Sequence, residues 1–61
     1  MKIIVNGAEH TVQLFQIHYN RICAFAGIDP ETKPVVTYAE GTVEYGKRGP
    51  VHEGIAYTVT A

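Results

Sequence analysis

The chain has 61 residues, 46% of them hydrophobic and 18% charged, with a formal net charge of −1. That length holds a single domain, 1–61, whose core must form without a disulfide staple because Cys23 is the only cysteine. Disorder is excluded by the apolar content, and five basic residues against six acidic ones point away from a nucleic-acid partner.

Seven valines, six isoleucines and six threonines stand against one leucine, Leu14. β-Branched side chains lose freedom in helices and pack well on pleated sheets, so a mostly β domain follows. The first strand is expected over 2–6. Asn6-Gly7 then makes a tight turn, because both residues tolerate positive φ, and a second strand runs over 9–15. Alternation places Ile3 and Val5 on one face and Ile4 on the other. On the second strand Val12 and Leu14 share the core face, which leaves Thr11 and Gln13 opposite. A two-residue or four-residue loop satisfies that parity, whereas a three-residue loop would bury Thr11.

The period changes at His18. Tyr19, Ile22, Cys23 and Ala26 recur at helical spacing, which predicts a helix of about eight or nine residues. Gly27 supplies the left-handed residue that ends it, and Pro30 is a second stop. After a loop over 27–34, a strand is expected over 35–39. A turn at Glu40-Gly41 then leads to a short strand over 42–45. That turn would put Val36, Tyr38, Val43 and Tyr45 on the core face, with Thr37 and Glu44 opposite. The stretch 46–50 is expected to be a loop, and 55–60 a strand with Ile55, Tyr57 and Val59 inward. The order is α+β: one mixed sheet covered on one face by one helix.

Read with particular residues, this order resembles a ubiquitin-like β-grasp domain and, more narrowly, the bacterial and phage domains called multiubiquitin. The residues are Ile4-Val5-Asn6-Gly7, Ile17-His18-Tyr19, Ala24-Phe25-Ala26-Gly27, Val36-Thr37-Tyr38 and Glu53-Gly54-Ile55-Ala56-Tyr57-Thr58-Val59. The chain departs from the family where His18 stands at a helix entry that commonly holds threonine or serine, and where the segment from Tyr38 to Glu53 is short. The resemblance implies a mixed sheet of order 2-1-5-3-4, with the last strand central and parallel to the first. It also implies a bacterial or bacteriophage source.

Ubiquitin-like modifiers and sulfur carriers act through a flexible Gly-Gly terminus, whereas this sequence closes Tyr57-Thr58-Val59-Thr60-Ala61. A binding role is therefore expected over conjugation. No enzyme is expected. The acidic residues Glu9, Glu40, Glu44 and Glu53 fall in or beside turns, and Gly46-Lys47-Arg48-Gly49 lacks the spacing and context of a phosphate loop. Nor does a chain this small promise a pocket of about 300 Å³. No cofactor or metal is expected either: His10, His18 and His52 have no ligand spacing, and Cys23 lies on the core stripe of the helix. Tyr38, Tyr45 and Tyr57 read as core aromatics with hydroxyls at the rim. The first six residues hold three consecutive apolar side chains, against about 7–15 in a secretory signal. A soluble, cytoplasmic protein is expected, without a membrane partner.

The remaining candidate is the open face of the sheet. Alternation directs Ile4, Thr11, Gln13, Ala56, Thr58 and Thr60 away from the helix. Ile4 and Ala56 would form a small apolar spot ringed by threonines, for a protein partner or for a second copy in a structural homo-oligomer.

Overall fold

The computed structural model describes residues 1–13 and 15–61; the expectation for Leu14 lies outside the described residues. In chain order the elements are β1 (Lys2–Val5), β2 (Ala8–Thr11), β3 (Gln16–His18), α1 (Tyr19–Ala26), a 3₁₀ turn (Pro30–Thr32), β4 (Val35–Tyr38), β5 (Gly41–Val43), β6 (Arg48–Pro50) and β7 (Ile55–Thr60). They form a five-stranded sheet of order β2-β1-β7-β4-β5 and a two-stranded sheet of β3 and β6. One helix on a mixed sheet is compatible with a β-grasp-like arrangement.

The first hairpin turns at Asn6-Gly7, with φ of 50° and 84°, so Val5 pairs Ala8 and Ile3 pairs His10. Asn6 also works across the sheet. Its Nδ2 donates to the Val59 carbonyl at 3.1 Å, and its Oδ1 accepts from the Val59 amide at 2.7 Å. The side chain thereby prolongs the parallel β1–β7 ladder by imitating a peptide group.

β2 is shorter than the expected strand and ends at Thr11. From Phe15 onward the chain belongs to another ladder. The Val51 amide donates to the Phe15 carbonyl at 2.9 Å, Ile17 pairs Gly49, and the Tyr19 amide donates to the Lys47 carbonyl at 2.9 Å. The stretch 46–50, expected as loop, therefore contains a strand. Composition hid it, because Gly49 and Pro50 read as turn residues. Gly49 is required by space. A Cβ there would collide with the Tyr57 hydroxyl oxygen and lie 2.8 Å from Val43 Cγ2, while the Tyr57 hydroxyl donates to the Pro50 carbonyl at 2.5 Å.

The second hairpin turns one residue earlier than Glu40-Gly41. Tyr38 pairs Gly41, Thr37 pairs Thr42 and Val36 pairs Val43. The register differs from expectation by two residues, so the faces keep their parity and Val36 and Val43 stay buried. Tyr45 falls beyond β5 and is 45% exposed, with its ring edge against Tyr19 and its hydroxyl donating to Glu31 Oε1 at 3.0 Å. It is a lateral cover over Tyr19, and the expectation of a core tyrosine there is corrected. Tyr38 is half-buried and Tyr57 fully so.

Ile3, Val5, Val36, Ile55, Tyr57 and Val59 form the sheet side of the core, facing Tyr19, Ile22 and Cys23 of α1. Ala26 is only half-buried. The core gains Ile17 and Val51, supplied by the small ladder and its immediate continuation. His18 caps the helix: its Nδ1 accepts from the Asn20 amide at 3.1 Å, the role that a serine or threonine oxygen usually fills. Gly27, at φ 73°, ends the helix with its amide donating to the Ala24 carbonyl. No helix among the described residues is long and apolar enough to cross a membrane.

Candidate functional site

The β1–β7 register brings Ile4 and Ala56 side by side on the face turned away from α1. Their strand neighbours, Ile3 with Ile55 and Val5 with Tyr57, are the buried pairs, so the alternation is clean across both strands. Ile4 is half-buried and Ala56 exposed. Thr11 pairs Lys2 at one margin of this face, and Glu9 pairs Ile4. The Lys2 ammonium lies 3.8 Å from Glu9 Oε1.

On the other side of Ala56 the face continues along β7. Thr58 pairs Thr37, and Thr60 pairs Val35. Thr11, Thr58 and Thr60 are all exposed. Five of the six expected residues therefore share one sheet surface. Gln13 does not join them: it is exposed but lies past the end of β2, where the chain has left the ladder.

One residue of this face escaped the sequence reading. Val35 is 55% exposed beside Thr60, and its alternation with the buried Val36 was the signal that could have found it. Next to Ala56 lies a shallow cleft of about 310 Å³ whose lining includes Glu40 and His52. The open surface thus carries Ile4, Ala56 and Val35 among threonines, with polar groups at one end. A surface of this kind can make side-chain contacts with a partner.

Burial pushes the Cys23 thiol up, away from the thiolate range. Burial likewise raises the Tyr19 phenol, whose hydroxyl donates to the Pro34 carbonyl, and pushes Tyr57 up to about 12. Tyr45 is raised chiefly by its hydrogen bond to the Glu31 carboxylate.

The three histidines stand apart in role. His10 stacks on Phe25 with centroids 4.2 Å apart, His18 caps α1, and His52 precedes β7. Among the described residues no three His, Cys, Asp or Glu side chains group as metal ligands.

A second concave region lies away from the open face. Phe15, Gln16, His18, Arg21 and Arg48 line a cleft of about 470 Å³, which corrects the expectation that so small a chain has no room for one. It arises where the N-terminal end of α1 meets the small ladder, and that ladder was not legible in the sequence. Phe15 is 84% exposed, the most uncovered large apolar side chain among the described residues. Surplus apolar surface is therefore not confined to the neighbourhood of Ile4 and Ala56. Comparison with family models, curated proteins and solved structures finds no match to this chain.

Proposed function

We propose that the chain is a non-catalytic, ubiquitin-like β-grasp interaction module of bacterial or phage origin that binds a protein partner through the open face of its sheet. The in-register pair of Ile4 and Ala56 carries this reading. An apolar pair on the face turned away from α1, extended by Val35 and flanked by threonines, is the composition of a small contact patch with a polar margin. Threonines at Thr11, Thr58 and Thr60 present a hydroxyl and a methyl from stiff side chains, so ordering them against a partner costs little entropy.

The test is quantitative recovery of a partner from a bacterial lysate by the immobilised chain, with wild type beside Ala56→Arg and Ile4→Asp. Loss of the recovered partner with both substitutions, while the Ala56→Arg circular dichroism melt is unchanged, supports the reading. Equal recovery by all three overturns it.

A further inference from the structure

The geometry points to the cleft between α1 and the β3–β6 ladder as a binding site for a phosphate monoester carried on a planar aromatic body, the chemistry of a nucleoside monophosphate. Three elements build it. His18 ends β3 and pairs Arg48 of β6, so the two side chains project to the same side of the small ladder. Arg21 lies three residues after His18, on the first turn of α1, which places it on the adjoining helix surface. Phe15 and Gln16 complete the lining.

The polar chemistry of this lining is donor-rich. Both guanidinium groups are exposed and, among the described residues, neither is in an ion pair. The first turn of α1 carries no acidic side chain. His18 uses Nδ1 as the acceptor for the Asn20 amide, so the proton of its neutral ring sits on Nε2 as another donor. Two planar guanidinium forks and an imidazole N–H suit an oxyanion with three equivalent oxygens better than a single carboxylate. The Arg21 guanidinium carbon lies 5.6 Å from the Phe25 ring centroid, a cation–π contact that uses the face of the guanidinium and none of its N–H donors.

Phe15 decides the rest of the ligand. A phenyl ring left 84% exposed beside two cations offers a stacking surface that a bare inorganic anion would not use. The volume of about 470 Å³ is in the range of small-ligand sites. A polynucleotide is a poor fit, because only two arginines line the cleft, too few to track a run of phosphates. The site shares no residue with the open face, so its test is independent of the partner-binding reading.

The experiment is titration of the intact chain followed by amide NMR shifts and calorimetry, with AMP, phenyl phosphate, inorganic phosphate and adenosine as separate probes. Saturable shifts at Gln16, His18, Arg21 and Arg48 with AMP are expected, with inorganic phosphate and adenosine each weaker by about tenfold. Phenyl phosphate binding as well as AMP assigns the site to aryl phosphates at large; weaker binding assigns it to nucleotides. Either result supports the shared chemistry. Arg21→Gln and Arg48→Gln should each weaken AMP by about tenfold. Phe15→Ser should remove the preference of AMP over phosphate, and Ala56→Arg should change nothing. The proposal is overturned by the absence of saturation with either aromatic phosphate, by shifts that map elsewhere, or by binding indifferent to both arginines. An acidic peptide that binds more tightly than AMP at equal charge also overturns it. The wild-type spectra decide the first two outcomes even if a variant fails to fold.

Discussion

The two sheets of this protein are built on different principles. The five-stranded sheet is organised on the period-two alternation of its central strand: Ile55, Tyr57 and Val59 are buried while Ala56, Thr58 and Thr60 are exposed, so β7 specifies its own inner face. The β3–β6 ladder also alternates over its three residues per strand, with Ile17 and Gly49 buried between more exposed neighbours, but the inward residue of β6 is a glycine with no side chain to bury. It is held from outside. Tyr57 reaches across from β7 to the Pro50 carbonyl, and the backbone of Gly49 packs where a Cβ would collide with that ring. The large sheet is thus specified by many weak, repeated choices and the small one by a few tertiary contacts. A few substitutions should separate the two.

The largest effect is expected at Gly49. Gly49→Ala forces the Tyr57 ring or the Val43 methyl to move and should destabilise the fold by about 3 kcal/mol, measured by urea unfolding. A loss below about 0.5 kcal/mol, the range of ordinary surface changes, would show that the ladder relaxes freely.

Tyr57→Phe keeps the ring and removes the hydrogen bond to Pro50, leaving a part-buried carbonyl unpaired; about 1.5 kcal/mol should be lost. The same residue gives the protein an alkaline limit. The phenol of Tyr57 is raised from its ordinary value of 10 to about 12 because burial disfavours the phenolate. Its contribution is complete below pH 10 and declines as pH rises from 10 through 12, where the folded state holds a proton that the unfolded state has released. Melting temperatures taken across that window should fall less steeply for Tyr57→Phe than for wild type.

His18→Ala removes the helix cap and should cost about 1 kcal/mol, with His18→Asn restoring most of it. At the small end, Ala56→Arg on the open face should shift stability by less than about 0.5 kcal/mol, since the side chain is exposed and lies on the solvent side of β7.

This contrast also explains what could be read from the residues alone. The Asn6-Gly7 turn, the stripe of Tyr19, Ile22 and Cys23, the stop at Gly27 and the alternation of β7 are local signals, and each places its element. The open face followed directly, because a residue that alternates with the core must point away from it. Val35 completed that face by the same rule applied beside Val36.

The small ladder was illegible because its determinants lie far apart in sequence. Nothing local to Gly49 announces Tyr57, and Gln16–His18 looks like a mere approach to the helix. The cleft was hidden with it, since Arg21 and Arg48 become neighbours of Phe15 only once that ladder forms. The turn at Ala39-Glu40 was misplaced because Gly41 carries the usual turn signal yet serves as the first residue of β5.

Docking of a protein partner on the open face can be read out by photo-crosslinking. A benzophenone amino acid is placed at position 56 on β7 and, separately, at position 24 on the exposed side of α1. If the partner docks on the open face, the partner recovered by the wild-type chain becomes covalently attached from position 56 and not from position 24. Attachment from position 24 alone, or from neither site while the partner remains bound, would contradict docking there.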